Sequence, residues 1–542
     1  MARLRSSPLT YRFAAIVVVL VALASLAVAG TVERPAPGGV FREAEIGQPL
    51  SLNPLLDPQD PILADISRLA FAGLVRVLDG GRIEGDLADR WTTTDAGSTY
   101  SFHLRDGAQW QDGQPVTPAD VLTTVAILQS PDYPGPAGLA AVWRSVHAEA
   151  VDSRTIRFRL DRPYSSFIEA CSIPLLPSHL FRPEDAAGLR DHPASYQPVG
   201  AGPFRIAEVN LAGLRLVRFD GYAGVRPYLA EVDLNYYPDL GAAASALRDG
   251  QVDGLLGLRP SQLGALRDQS GYLVQTLTLT QQQITLYLNQ RNAILGDRRV
   301  RQAIELGVDR ARALGESLPG DAAPAFGPIA ASSWAYSDLV ELSPDPFAAR
   351  SLLDTAGWLG SSFRVQGSRT LHLRLSVPLD DGLIALAERI KAQLQAIGFQ
   401  IDLQPANELD LYRERIGPRA YDLALLRVWL GSIDPDPYPL WHSSQARTGF
   451  NFAAYERAET DLLLEAARAD GDSGRRRSAL EAFQRLWLED VPSVVLANPI
   501  ATYVTGRQFH GVRLGITPEP SARFQHVAEW YVQTERVPAF WH

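Results

Sequence analysis

Cysteine, methionine and lysine each occur only once among the 542 residues. The single thiol, Cys171, excludes an internal disulfide, and we expect it to be a small buried side chain. The one lysine, Lys391, lies in an amphipathic helical pattern, so Schiff-base chemistry has little basis here. Acidic residues outnumber basic ones, and the resulting net charge of −10 argues against binding to nucleic acid or to anionic membranes.

The common sequence signatures of catalysis are also missing. The chain has no G-x-S-x-G elbow and no H-E-x-x-H pair, and its nine histidines show no helical spacing that would build a zinc site. The turn at Pro198–Phe204 (PVGAGPF) fits neither a Walker A loop nor G-x-G-x-x-G, and Pro203 removes a donor that a phosphate loop needs. We therefore expect no cofactor, no metal and no enzymatic activity.

One long hydrophobic run lies near the N-terminus. Three arginines precede an apolar stretch from Phe13 to about Ala29, which ends in the small-x-small motif Ala-Val-Ala. This arrangement predicts a signal peptide and an exported mature protein. The run is close to the length that spans a bilayer, so an uncleaved N-terminal anchor is the alternative. No cysteine follows the apolar run directly, which excludes a lipid anchor attached to a cysteine there.

The remaining chain is long enough for two or more lobes, and its 46% hydrophobic and 21% charged residues are typical of a globular protein. Two alternating segments, Thr99–Arg105 and Thr155–Leu160, predict strands of a small antiparallel sheet with one solvent face. Between them, Thr117 is expected to cap a helix that begins at Pro118, with Asp120 reaching back to free N–H groups.

A second fold signal lies in the C-terminal half. Residues 371–377 alternate as a strand, residues 383–397 have helical spacing that Gly398 ends, and residues 399–403 alternate again. This order of elements predicts a βαβ unit, and therefore an α/β lobe with a partly parallel sheet. A further strand is expected at Ser493–Ala497.

The stretch Trp429–Trp441 (WLGSIDPDPYPLW) is the best candidate for a binding site. It follows a predicted strand, and open α/β sheets place ligands in loops at the carboxyl ends of strands. Its aromatic residues offer stacking area, and its carboxylates can hold cations or hydroxyl groups. In one alternative, Asp434 and Asp436 only stiffen a turn. In another, they act as acid and base in glycoside hydrolysis.

Several strings resemble motifs of the solute-binding proteins of ABC importers, family 5. They are LRDGAQWQDGQPVTPADV at Leu104–Val121, PVGAGPF at Pro198–Phe204 and RVRQAIELGVDR at Arg299–Arg310, in the family's order. The chain resembles the peptide-, opine- and nickel-binding type, which includes oligopeptide- and dipeptide-binding proteins. The resemblance implies an α/β fold with two lobes of the periplasmic-binding-protein type (type II, cluster C) and an extra subdomain on the first lobe.

The resemblance also implies a division of the chain into domains. In this division the signal peptide or anchor occupies residues 1–30, lobe I comprises residues 39–86, 197–280 and 499–542, the inserted subdomain comprises residues 87–196, and lobe II comprises residues 281–498.

The function implied by the resemblance is capture of a short peptide or peptide-like solute and its delivery to ABC permease subunits in the membrane. Such a protein is expected to be a monomer, periplasmic or at the cell surface, and to bind no nucleic acid. The open alternatives are a sensor without a transporter, and a binder of an oligosaccharide or a metal chelate.

In peptide-binding members, an aspartate early in the loop pairs with the α-amino group of the peptide. The matching position here holds Ser432, which argues against recognition of the α-amino group. Asp434 could take the role of that aspartate if the alignment is shifted by one residue. The residues expected to bind the ligand are Asn53, Trp429, Ser432, Asp434, Asp436, Tyr438 and Trp441.

Overall fold

The computed structural model describes residues 31–78, 81–258, 271–337, 343–360, 362–431, 433–514 and 519–538, together with the single residues Val17 and Leu263. The apolar N-terminal run, apart from Val17, lies outside the described residues, and so does Ser432. In the described part of the chain, every helix is too short or too polar to traverse a lipid bilayer.

Strands and helices are interspersed along the chain, often in runs of two to four strands. The strands are β1 (Thr31–Ala36), β2 (Val40–Ile46), β3 (Val75–Val77), β4 (Ile83–Gly85), β5 (Ala88–Thr94), β6 (Thr99–Leu104), β7 (Val146–Ala150), β8 (Thr155–Leu160), β9 (Phe204–Asn210), β10 (Gly213–Arg218), β11 (Glu231–Tyr237), β12 (Gly254–Leu256), β13 (Tyr272–Thr278), β14 (Gln282–Leu288), β15 (Ala322–Pro324), β16 (Val365–Gln366), β17 (Arg369–Thr370), β18 (His372–Pro378), β19 (Gln400–Ala406), β20 (Leu423–Trp429), β21 (Ser493–Gly506) and β22 (Gln533–Pro538). The helices are α1 (Pro61–Ala70), α2 (Pro118–Gln129), α3 (Ala137–Trp143), α4 (Phe167–Ala170), α5 (Leu240–Arg248), α6 (Arg298–Gly307), α7 (Arg310–Ser317), α8 (Pro346–Thr355), α9 (Asp381–Ala396), α10 (Glu408–Asp410), α11 (Tyr438–Trp441), α12 (Ala458–Ala469) and α13 (Ser473–Asp490).

The longest strand, β21, is shared by two half-sheets. Its first half pairs with β14 and β15, and its second half pairs with β12 and β13. Strands β18, β19 and β20 extend the first half-sheet, which belongs to lobe II, and strands β2, β9, β10 and β11 extend the second, which belongs to lobe I. A second connection between the lobes is the short segment that leads from β13 to β14.

The βαβ unit predicted for lobe II is confirmed. Strands β18 and β19 pair in parallel, and α9 packs on them through buried side chains such as Leu386 and Ile390. The strand expected at Ser493–Ala497 is longer than predicted, since β21 runs on to Gly506. Pro499 lacks an N–H group and would ordinarily mark a strand end. Here it lies where β21 changes partners, and its carbonyl oxygen accepts from the Leu279 N–H at 2.9 Å.

The small antiparallel sheet and its capped helix are also confirmed. Strands β5, β6, β8 and β7 form a four-stranded sheet in that order, within residues 87–196. The N–H group of Thr117 donates to Asp120 at 2.7 Å at the start of α2. Side chains buried at this sheet include Phe102 and Phe158, and Cys171 is buried beside them as expected.

A buried cluster of charges joins three distant parts of lobe I. The Arg523 guanidinium contacts Glu43 at 3.0 Å, Glu45 at 3.3 Å and Asp65 at 2.5 Å, and all four side chains are buried. Tyr503 on β21 also donates to Glu43, at 2.9 Å. Burial raises the pKa of Glu43 to about 7, although Arg523 acts in the opposite direction. Burial likewise raises the pKa values of Glu45 and Asp65.

We expect this cluster to make the free energy of unfolding decrease as the pH rises from about 5 to about 8. The ordinary pKa of a glutamate is 4.5, whereas that of folded Glu43 is about 7. Between these pKa values the folded state binds more protons than the unfolded state. The contribution of Glu43 to the free energy of unfolding is therefore fully present below pH 4.5 and is lost as the pH rises through about 7.

Urea denaturation across this pH range measures the effect. Glu43→Gln should flatten the pH dependence, whereas Glu149→Gln, an exposed substitution on β7, should leave it unchanged. The same slope in the Glu43→Gln variant and the unaltered protein would contradict the assignment.

Candidate functional site

A cavity of about 190 Å³ lies between the subdomain of lobe I and the loops of lobe II. One wall comes from Ser165–Glu169, at and just before α4, and the opposite wall comes from Ser332–Trp334 and Ile433–Asp434. Thr280 and Gln281, in the segment that joins β13 to β14, lie at the junction of the lobes. The cavity is therefore bounded by both lobes and by one of the connections between them.

Asp434 is the most extensively bonded side chain of the cavity wall. Its Oδ1 accepts from Trp334 Nε1 at 3.1 Å, and its Oδ2 accepts from Ser166 Oγ at 2.9 Å and from Arg476 Nη2 at 3.0 Å. The Arg476 guanidinium also lies over the Trp334 ring, 5.0 Å from its centroid. Trp334 and Arg476 belong to lobe II, whereas Ser166 belongs to the lobe I subdomain. One carboxylate thus ties the two lobes together.

Glu169 makes a second contact across the cavity. Its two carboxylate oxygens accept from the backbone N–H groups of Ile433 and Asp434, both at 2.8 Å. Nearby, the Ser165 N–H donates to the carbonyl oxygen of Arg468 at 3.1 Å. We call these bonds, with the Ser166–Asp434 bond, the interlobe contact. It holds the lobes in a closed arrangement.

Asp436 lies deeper than Asp434 and is fully paired. Its side chain is 8% exposed and forms an ion pair with Arg468 at 2.9 Å. Burial raises the pKa of Asp436, and Arg468 acts in the opposite direction. The Arg468 guanidinium is in turn enclosed by the rings of Tyr438 and Tyr164, with centroid distances of 4.5 and 5.0 Å. Asp436 and Tyr438 thereby support the loop from behind the cavity.

Other predicted ligand residues lie apart from the cavity lining. Trp441 is buried and packs on Tyr287 and Trp487, with centroid distances of 6.0 and 5.4 Å. Trp429 is the half-buried last residue of β20. Tyr438 stacks on His442 at a centroid distance of 4.0 Å.

The Asn53 side chain forms its hydrogen bonds within lobe I. Its amide nitrogen donates to Ser195 Oγ at 3.0 Å, and its Oδ1 accepts from the Leu55 N–H at 3.1 Å. Of the seven predicted residues, Asp434 is the one that lines the cavity within the described part of the chain, while Ser432 lies outside that part.

Sequence reasoning missed Trp334, Arg476, Glu169 and Gln281. None of them belongs to a motif, and they come from four segments that only the tertiary structure brings together. The one available signal was a tryptophan, Trp334, in a segment rich in small polar residues, where no hydrophobic periodicity requires it.

Glu169→Gln is expected to shift the protein without ligand towards an open arrangement. Glutamine keeps the shape of the side chain but lacks the negative charge and one acceptor, and a hydrogen bond to a charged group contributes about 1.5–3 kcal/mol. Small-angle X-ray scattering should then give a larger radius of gyration. Glu149→Gln is the matched control, since Glu149 pairs with Arg157 and Arg159 on the surface of the same subdomain. Equal radii for both variants would disprove the role of Glu169.

Comparison with known proteins adds to this geometry. Residues 82–450 match the sequence model described as bacterial extracellular solute-binding proteins, family 5 Middle. The chain is 25% identical over 512 residues to the oligopeptide-binding protein AppA of Bacillus subtilis, and the match covers 92% of each chain.

Solved structures with a similar fold include two complexes. The structure of Bacillus subtilis AppA in complex with a nonapeptide has a TM-score of 0.75 at 24% identity, and the match covers 92% of this chain and 100% of that one. NikZ from Campylobacter jejuni in complex with Ni(L-His) has a TM-score of 0.76 at 22% identity, and the match covers 91% and 99% of the two chains.

These similarities extend over nearly the whole chain and agree with the two half-sheets that β21 connects. The predicted α/β fold of two lobes is therefore confirmed. Because the matched region spans well over half of the sequence, the chain belongs to family 5 of the bacterial extracellular solute-binding proteins.

Proposed function

We propose that the protein is the solute-binding component of an ABC importer, which captures a short peptide or peptide-like solute between its lobes and delivers it to permease subunits in the membrane. The observation that carries the proposal is the cavity bounded by Trp334 and Asp434 on one lobe and by Ser166 and Glu169 on the other. A ligand that contacts both lobes favours the closed arrangement over the open one. The permease then recognises the closed, ligand-bound protein.

The size of the cavity favours a small solute. Its volume of about 190 Å³ is below the roughly 300–1,000 Å³ of pockets for drug-sized ligands. An extended ligand such as the nonapeptide of AppA would require the lobes to separate further. We therefore favour a molecule of two or three residues over a long peptide. A micromolar dissociation constant corresponds to about −8 kcal/mol, which one stacked aromatic ring and a few hydrogen bonds can supply.

A hydrolase is disfavoured by the state of the two aspartates. Asp434 accepts three hydrogen bonds from protein groups, and Asp436 is buried in an ion pair with Arg468. Neither carboxylate is placed to exchange a proton with a substrate. A transporter-independent sensor would use the same closure, and an adjacent chemoreceptor gene would favour that alternative over an importer.

The first test is the identity of the bound molecule. We expect mass spectrometry of extracts from the gently denatured, purified protein to reveal a short peptide or peptide-like compound. The reason is that amide and hydroxyl groups line the cavity and that its volume suits such molecules. Recovery of only an oligosaccharide or a metal chelate would refute the peptide assignment and leave the family membership intact.

A second test concerns the aromatic wall. Trp334→Ala should weaken ligand binding by roughly 1–3 kcal/mol, because the indole ring lines the cavity and its loss removes buried aromatic area. Isothermal titration calorimetry with the extracted ligand gives the change. Trp429→Ala is the matched comparison, since this ring was also predicted to bind ligand but stands at the end of β20. An unchanged affinity for Trp334→Ala would remove this ring from the site.

A further inference from the structure

A second, smaller cavity adjoins the interlobe cavity. Its volume is about 20 Å³, and Gln281, Ser333 and Ile433 line both cavities. Every other described residue of its lining lies between positions 328 and 440, in lobe II. We call this cavity the side pocket. A ligand in the interlobe cavity therefore lies next to a recess in one lobe.

Hydrophobic groups form most of the side pocket. Ile329, Ala330 and Leu440 are buried, Leu430 is half-buried, and three buried prolines complete the apolar lining with Ile433. Proline has a fixed φ angle, so these segments of the wall have little freedom to adapt to a ligand. The side pocket thus suits an apolar group and keeps its size.

The volume of the side pocket limits the group that can enter it. A cavity has to offer roughly 10–15 Å³ to hold one water molecule, and the side pocket offers about 20 Å³. This space suits a methyl group, whereas a leucine or phenylalanine side chain would have to displace the walls. Forcing extra methylene groups into a packed site weakens the equilibrium constant about fivefold or more.

The described polar residues of the lining are Gln281, Ser333 and Asp436. Asp436 pairs with Arg468 at 2.9 Å, and the Ser333 hydroxyl oxygen accepts from the Ala335 N–H at 3.2 Å. Gln281 is 4% exposed, and its side chain forms no hydrogen bond to the described residues. Its amide both donates and accepts hydrogen bonds, as a peptide group does. Gln281 is therefore the polar group best placed to bind a peptide group of a ligand.

A peptide group bound at Gln281 brings a ligand side chain to the side pocket. Each peptide group is joined to two Cα atoms, and in a peptide these atoms carry the side chains. Gln281 lines the side pocket as well as the interlobe cavity. A peptide group paired with it therefore has the side chain of a neighbouring residue at the boundary between the two cavities.

We propose that the side pocket is a specificity subsite, which accepts the methyl side chain of an alanine residue of the ligand and excludes larger side chains at that position. The subsite rests on the proposed function, because it specifies which molecules of the peptide-like class bind in the interlobe cavity.

The test uses di- and tripeptides in which one position at a time is varied. The varied position holds glycine, alanine, valine, leucine or phenylalanine, and the other positions carry the same mixture of residues in every set. Native mass spectrometry of the mature protein ranks the sets, and calorimetry with the best sequence measures the five affinities. At one position we expect alanine to bind about fourfold more tightly than glycine, because it buries one more methyl group. Leucine and phenylalanine should bind at least about fivefold more weakly than alanine there.

The outcomes separate the two claims. Affinity that is equal for the five side chains at every position, or that rises with side-chain size, overturns the subsite and leaves the proposed function standing. Retention of no peptide from any set, combined with retention of a maltotriose or Ni(L-His) probe, overturns the proposed function and the subsite together.

Leu430→Ala tests the wall of the side pocket directly. The substitution enlarges the pocket, so the preference should move from alanine to valine or leucine, and the leucine peptide should bind at least about fivefold more tightly than it binds to the unaltered protein. Leu463→Ala is the matched control, since Leu463 is also half-buried and packs on the same hydrophobic cluster but lies outside the lining of both cavities. Thermal unfolding verifies that both variants fold. The same preference for alanine in the folded Leu430→Ala variant overturns the proposal.

Discussion

In the described part of the chain, the backbone crosses between the lobes at two adjacent places, and these crossings lie beside the cavity that we propose as the ligand site. Asn498, in the middle of β21, donates through its side chain to the carbonyl oxygen of Gln282 at 2.6 Å. The Leu279 N–H donates to the Pro499 carbonyl, so the two crossings are bonded to each other. Thr280 and Gln281 lie in one crossing and also line the cavity. A change in the angle between the lobes therefore has to change the shape of the site.

Rotation about these crossings requires each lobe to remain rigid. In lobe I, the buried Arg523 joins β2, α1 and the C-terminal segment through three carboxylates. In lobe II, Trp441 packs between Tyr287 and Trp487, which fixes the base of the loop that carries Asp434. Breaking a buried charge network or a packed aromatic cluster is unfavourable by several kcal/mol, about 3–5 in either case. The interlobe contact, in comparison, consists of a few hydrogen bonds between partly exposed groups.

The interlobe contact is electrostatic on both sides of the cavity. Ser166 donates to Asp434, and Glu169 accepts two backbone N–H groups from the lobe II loop. In the closed arrangement Asp434 is paired with the Arg476 guanidinium, whereas Glu169 is bonded to neutral backbone N–H groups. The loop's aspartates have separate roles in this arrangement. Asp434 faces the cavity and Asp436 supports the loop through Arg468.

The sequence alone determined the local elements and the family, and it pointed to the loop whose Asp434 lines the cavity. Capping at Thr117, alternation in β6 and β8, and the βαβ unit of β18, α9 and β19 follow from short-range rules and reappear in the structure. The tertiary structure decided which loop residues face the cavity. The sequence does not distinguish a loop aromatic residue that packs into the core, as Trp441 does, from one that lines a cleft, as Trp334 does. Only long-range packing distinguishes them, because Glu169, Gln281, Trp334 and Arg476 meet across distances in the chain that no local pattern encodes.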